Sequence, residues 1–185
     1  YEIGSGLVGS EMCIRDSNMI EAIGKEWMLV TAGTKEKFNT MTASWGGTGV
    51  LWGKTVAFIF IRPERYTYEF IKKCDTLTLS FLGEGNKAIH KVCGSKSGRD
   101  TDKIAETGLK PVLTENGNIT FGQARLTLEC RKLYEDDIKP ENFIDKSLDG
   151  KWYGNGHGNY HKMIILEIEP VSYTHLRAHE TGAYL

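Results

Sequence analysis

The unbroken apolar run Val56-Ala-Phe-Ile-Phe-Ile61 constrains this chain more than any other stretch. It is too short for a separate buried helix and is rich in β-branched and aromatic residues. Turn residues stand before it and Arg62-Pro63 after it. It therefore predicts a strand. With no polar face, that strand is expected to be buried on both sides, near the centre of a sheet or in a closed barrel. Pro63 biases Arg62 towards extended backbone and cannot continue a ladder, so the strand should end there.

What leaves the strand is polar. Arg62 and Arg65 are followed by Tyr66 and Thr67, and Thr67 to Lys73 reads as a short helix. Fork-shaped cations, a hydroxyl and free backbone N–H groups together suit a phosphate. The plain alternative is that both arginines are solvated loop charges. Upstream, Phe38 to Ala43 alternates as a half-buried strand and runs into Ser44-Trp45-Gly46-Gly47, expected to be a glycine loop. Small residues there would let a ligand approach the backbone, and Trp45 would offer a flat apolar face. Downstream, Asn86 to Val92 reads as a helix, followed by the polar loop Gly94 to Asp100. Successive amides of Ser95, Lys96, Ser97, Gly98 and Arg99 could form an anion-binding nest, and Asp100 is the expected N-cap of a helix ending at Gly108. The spacing of a Walker A loop is absent. Gly4-Ser-Gly-Leu-Val-Gly9 matches a dinucleotide fingerprint but has no room for a preceding strand.

Three of these stretches carry a resemblance. Asn39-x-Met-Thr-Ala-Ser-Trp-Gly46, Ile61-Arg-Pro-x-Arg-Tyr-Thr67 and Cys93-Gly-Ser-Lys-Ser-Gly-Arg-Asp100-x-Asp-Lys103 resemble the flavin reductase-like family, in its flavoredoxin branch of the FMN-binding split barrels. The resemblance covers roughly residues 18–171. It implies a mainly β fold, a split β-barrel with a few short crossing helices, and non-covalent FMN. It implies a cofactor site at Asn39, Thr42, Ala43, Ser44, Trp45, Arg62, Arg65, Tyr66, Thr67, Ser95, Lys96, Ser97, Gly98, Arg99 and Asp100, with Ser80 and Phe81 beside the flavin. It also implies NAD(P)H as electron donor and a homodimer with flavin near the subunit interface. Aromatic residues in polar segments, Trp45, Trp52, Trp152, Tyr153 and Tyr160, suit such an interface.

The rest of the chain agrees with one domain of 185 residues. Trp27 to Ala32, Thr76 to Leu82, Lys110 to Val112, Asn118 to Phe121, Gln123 to Tyr134 and Lys162 to Ile168 read as strands. Glu135 to Asp137 reads as a solvated turn and Pro140 to Leu148 as a short helix and loop. A net charge of −1 makes no electrostatic case for nucleic acid or an anionic membrane, and no apolar run is long enough to span one. Cys74, Cys93 and Cys130 form no C-x-x-C pair and read as reduced thiols of a cytoplasmic protein. His157 and His161 have a metal spacing only on a helix, which three intervening or flanking glycines oppose, so no metal site is expected. His161 is a weak catalytic candidate, placed to help seat the nicotinamide, or a satisfied strand-end histidine. Residues 1–17 and 172–185 resemble translated sequencing-adapter read-through and are expected to be non-native flanks.

Two main function classes stay open from the sequence. One is an oxidoreductase passing electrons from NAD(P)H through bound FMN to an acceptor. The other is a non-enzymatic FMN electron carrier of flavoredoxin type. An oxidase of the pyridoxamine-phosphate type is a weaker third.

Overall fold

The computed structural model describes residues 18–154 and 159–169. The expectations for the two flanks and for His157 lie outside the described residues. Nine strands form: β1 (Met28–Gly33), β2 (Phe38–Ala43), β3 (Gly46–Leu51), β4 (Lys54–Ile61), β5 (Thr76–Phe81), β6 (Pro111–Leu113), β7 (Ile119–Phe121), β8 (Leu126–Asp137) and β9 (Lys162–Ile168). The helices are α1 (Met19–Glu21, continued as a π-helical turn to Glu26), α2 (Tyr66–Ile71), α3 (Lys87–Ser95), α4 (Lys103–Thr107) and α5 (Lys146–Tyr153).

Seven strands make one antiparallel sheet in the order β2-β1-β5-β8-β9-β4-β3, and β6 and β7 pair as a separate hairpin. The sheet rolls up on itself. Met41 and Ala43 at one edge share a single core with Ala57, Ile59 and Ile61 near the other, together with Leu79, Leu128, Ile164 and Leu166. Tyr68 and Ile71 of α2 belong to the same core. Each buried Leu or Ile contributes about 1.5–3 kcal/mol relative to exposure, which is what holds the roll closed. A second apolar cluster, Leu29, Leu82, Cys93, Leu109 and Phe121, joins the outer face of β1 to α3, α4 and β7. The mainly β architecture with short crossing helices is the expected one.

Several local expectations are corrected. Gly46 to Leu51 is strand β3, paired with β4 from Gly46↔Ile59 to Leu51↔Lys54, where a glycine loop was expected. Its glycines fit because Phe58 lies over Gly47, where a Cβ would stand 2.5 Å from the ring. β4 is buried on one face only. Ala57, Ile59 and Ile61 face the core, whereas Phe58 and Phe60 on the opposite face are half-exposed beside Ile165 and Met163 of β9. Glu135 to Asp137 continues β8 instead of turning: Lys162 across the ladder neutralises Asp137, and Tyr68 donates to Glu135. Helix α5 starts six residues beyond Pro140, capped by Asp145, whose carboxylate accepts from the Ser147 amide; Pro140–Asn142 is only a 3-10 turn. Helix α4 is capped by Asp102 and not by Asp100, because Asp102 Oδ1 reaches the amides of both Ile104 and Ala105 at 3.0 Å.

Candidate functional site

Most of the candidate site residues gather along the β2 edge, where α2, α3 and the 95–103 loop close over it. Asn39 of β2 donates to Thr67 Oγ1 of α2 at 2.7 Å, tying strand to helix; both are buried. Thr42 Oγ1 donates to the His90 carbonyl at 2.8 Å, tying the same strand to α3. Arg65, just before α2, donates to the Gly94 carbonyl at the end of α3 at 3.0 Å. Three rigid elements are thereby pinned around one groove.

Two adjoining cavities make the groove, and Met41 and Arg65 line both. One, of about 150 Å³, is lined by Thr42, Ala43, Ser44, Trp45, Phe60, Arg62 and His161. The other, of about 130 Å³, is lined by Asn39, Tyr66, Thr67, Ser95, Lys96, Ser97, Arg99 and Lys103, with Glu64 and Cys93. The first has an aromatic wall: His161 lies 4.7 Å from Trp45, and Trp152 meets Trp45 edge-on at 5.0 Å. The second is lined by cations and hydroxyls. A larger cavity of about 430 Å³ lies beyond, sharing Asn39, Arg99 and Lys103, but Asp100 and Asp102 also line it, which disfavours an anion there.

The expected site residues therefore separate. Asn39, Arg65, Tyr66, Thr67, Ser95, Lys96, Ser97 and Arg99 meet at the cationic cavity, whereas Gly98 packs against Asn39 and Tyr66 and lines the larger outer cavity. Thr42, Ala43, Ser44 and Trp45 meet at the aromatic one. Arg62 joins the aromatic cavity instead of the cationic one. Its guanidinium donates at 3.1 Å to the carbonyls of Asn159 and Trp152, and lies over the Tyr153 ring. It clamps the end of α5. Ser80 and Phe81 lie away from the groove: both are fully buried in β5, and Ser80 Oγ is 2.9 Å from Thr120 Oγ1 under the β6–β7 hairpin. Asp100 lines only the larger outer cavity. The expected run of free amides from 95 to 99 is broken, because Lys96 donates to Val92 and Arg99 to Ser97 Oγ.

Lys103 is the residue that sequence reasoning missed. It is 5% exposed, and its ammonium donates to the carbonyls of Thr40 at 2.9 Å and Cys93 at 3.0 Å. Among the described residues no carboxylate pairs with it or with Arg65, whereas Arg99 is paired with Glu69 and Lys96 with Glu106. Burial, with the charge of Arg65, pushes the Lys103 pKa below the ordinary lysine range despite an opposing effect of Cys93. The same groove neutralises His161. Burial and the charges of Arg62 and Arg65 push it down to about 4, and its Nδ1 lies 2.9 Å from the Tyr153 hydroxyl.

Comparison with known proteins gives this arrangement its context. The sequence profile described as "Flavin reductase like domain" matches residues 20–182. The chain belongs to the flavin reductase-like family. No curated protein sequence matches it. Among solved structures, this flavin reductase-like chain is similar to the FMN-binding protein of Thermus thermophilus with bound 1-cyclohex-2-enone, at 21% identity and TM-score 0.59. That match covers 77% of this chain and 66% of the other, so the chain spans just under two thirds of that protein's length. The flavoredoxin of Desulfovibrio vulgaris (Miyazaki F) is similar at 21% identity and TM-score 0.60, covering 80% of this chain and 69% of that one. The NADH:FAD oxidoreductase of Streptomyces globisporus C-1027 is similar at 17% identity and TM-score 0.57, covering 77% and 72%. At these identities the likeness is one of fold, the FMN-binding split barrel.

Proposed function

We propose that this chain is an oxidoreductase that holds non-covalent FMN and passes electrons through it from NAD(P)H to an acceptor. The observation that carries the reading is the groove at Arg65. On one side lie an aromatic wall and small residues suited to a flat ring. On the other lie hydroxyls and two cations, Arg65 and Lys103, without carboxylate partners among the described residues. The residues present fit the group: the cationic cavity would take the phosphate, and Thr42 to Trp45 would border the ring. When bound, the flavin supplies the electron transfer, while the protein positions it and sets the charge around it. Neutral His161 and the Trp45 ring supply an uncharged wall on which a nicotinamide could be seated.

The similarity to both a flavoredoxin and an NADH:FAD oxidoreductase makes the donor the decisive question. Protein loaded with FMN and mixed with NADH or NADPH in a stopped-flow instrument should lose its yellow colour rapidly with at least one of them. Flavin that stays inert towards both would assign the chain as an electron carrier instead. FAD alone, or no flavin, released on denaturation would overturn FMN as the cofactor.

The same reading includes a homodimer. Phe60 lines the aromatic cavity and lies on the outer, half-exposed face of β4 with Phe58, Met163 and Ile165. Val50 at 80% and Trp52 at 61% exposure extend the apolar surface at the β3–β4 turn. A second copy on this face would cover the cavity mouth and the uncovered apolar surface together. Light scattering at micromolar concentration should give twice the chain mass; monomer alone would contradict the assembly. Free thiols at Cys74, Cys93 and Cys130 among the described residues support a reducing compartment, the cytoplasm, for this reading.

A further inference from the structure

A cavity of about 290 Å³ lies outside the groove, between the β1–β2 turn and α2. It is larger than either cavity of the groove, at about 150 and 130 Å³, and Tyr66 is the one residue it shares with them. Both of its walls are fixed. The turn is closed by a reciprocal pair of bonds: the Thr34 amide donates to the Lys37 carbonyl at 2.9 Å, and the Lys37 amide to the Thr34 carbonyl at 3.1 Å. Gly33 enters that turn at φ +129°, where a Cβ would stand 2.4 Å from the Lys37 carbonyl oxygen, so only glycine lets the chain close this tightly. Opposite, the Lys73 and Cys74 amides both donate to the Phe70 carbonyl and finish the end of α2.

The lining combines an aromatic wall with a cationic rim. Tyr66 and Phe70 meet edge-on at 5.1 Å, and Phe70 packs against the barrel core. Lys37 and Lys73 line the cavity from exposed positions, and among the described residues no carboxylate pairs with either. Glu69 also lines it, but its charge is taken by Arg99, whose guanidinium lies over the Tyr66 ring at 4.7 Å. Tyr66, Arg99 and Glu69 thereby form the partition between this cavity and the cationic cavity of the groove. What remains on the near side is two ammoniums above an apolar wall. The volume is at the small end of the range for small-molecule sites, enough for one or two fused rings.

We infer that this cavity is a second ligand site, separate from the flavin groove, for a small aromatic carboxylate: its ring lies against Tyr66 and Phe70 and its carboxylate meets Lys37 and Lys73. The ring supplies most of the affinity, by burial and by edge-to-face contact with the two aromatic residues. The lysines supply the preference for an anion. They are exposed, and exposed ion pairs are weak, so that preference is a few-fold and no larger.

The experiment uses Cys74. It lines the cavity and is half-exposed, whereas Cys93 and Cys130 are buried. The whole protein, with the flavin it carries, is alkylated with and without naphthoate, and the rate at Cys74 is read by peptide mass mapping. Naphthoate should slow Cys74 in a saturable way at millimolar concentration, and uncharged naphthylmethanol should bind about fivefold more weakly. Lys37→Met with Lys73→Met should weaken naphthoate about fivefold and leave naphthylmethanol unchanged. Each rate is compared with that of the same variant without ligand, because removing Lys73 also alters the thiol beside it. Arg65→Ala, which strips a cation from the groove, should leave the protection of Cys74 intact. No protection by naphthoate would overturn the site, and equal protection by the acid and the alcohol would overturn the carboxylate. Protection lost in Arg65→Ala but kept in the double lysine variant would put naphthoate in the groove, and the second site would fall. None of these outcomes depends on which flavin the groove holds.

Discussion

Arg65→Ala is expected to weaken FMN about ten- to a hundredfold and riboflavin far less. Arg65 lines both cavities and spends one of its five N–H donors on the Gly94 carbonyl. Four donors are left for an anion in a cavity that also holds Thr67 and Lys103. Charge-assisted hydrogen bonds contribute about 1.5–3 kcal/mol each, and every 1.4 kcal/mol is a factor of ten in affinity. The near-zero net charge of the chain supplies no general field to substitute for this local one. Arg62→Ala should behave differently. Arg62 bonds the carbonyls of Trp152 and Asn159, so its loss should loosen the end of α5 and shift both flavins alike. Titrations of both variants with both flavins check this. Equal weakening of FMN and riboflavin by Arg65→Ala would place the phosphate elsewhere, and a phosphate-selective loss in Arg62→Ala would return that arginine to the phosphate.

The sequence brought both arginines to one place because Pro63 forces an abrupt end to β4, and that much is correct. It could not show that Arg62 turns to the end of α5 and stays out of the cationic cavity, while Arg65 lines both cavities. Which way each side chain turns depends on α5 and on the end of α3, elements distant in sequence. Strands with clean alternation, such as Phe38 to Ala43 and Thr76 to Phe81, were legible because the period itself carries the face. β3 was not, because Gly46, Gly47 and Gly49 signal a loop while their lack of side chains is what lets Phe58 lie across them. The cap of α4 was ambiguous, with aspartates at both 100 and 102. The last turn of α3 and the 97–101 turn decide it, since Asp100 and Thr101 amides go back to the Ser97 carbonyl.

The two-sided burial expected for β4 failed for a related reason. An apolar run does not say whether its second face is covered by its own chain or by another. Lys103 shows the opposite blindness. A lysine early in a short helix reads as a solvated charge, and nothing local marks it as buried. Only the closure of α3 and α4 over β2 removes it from water. The motif that carries the family resemblance ran through Lys103, but a single sequence gives such a residue no distinguishing mark.

Gly98→Val should be the most damaging single change in the loop. A Cβ at Gly98 would lie 2.1 Å from Asn39 Oδ1 and 3.2 Å from the Tyr66 ring. The Asn39 side chain is buried and committed to Thr67 Oγ1 at 2.7 Å, so it cannot swing aside without losing that bond. Breaking a buried hydrogen bond costs about 1–3 kcal/mol, and forcing extra volume into a packed site costs about as much again. The cheaper response is for the 97–99 turn to lift away from β2, carrying Ser97 and Arg99 off the cationic cavity. Loss of two contacts at about 1.4 kcal/mol each predicts FMN weakened about a hundredfold. The melting temperature should fall as well. Gly94→Ala is the control: its Cβ would meet Thr42 Cβ at 3.4 Å, an ordinary contact, on a helix where alanine is favoured. Binding there should stay within about threefold of wild type, well under 1 kcal/mol. A Gly98→Val protein that binds FMN as tightly as wild type would show that the loop's seat on Asn39 and Tyr66 has no part in holding the phosphate.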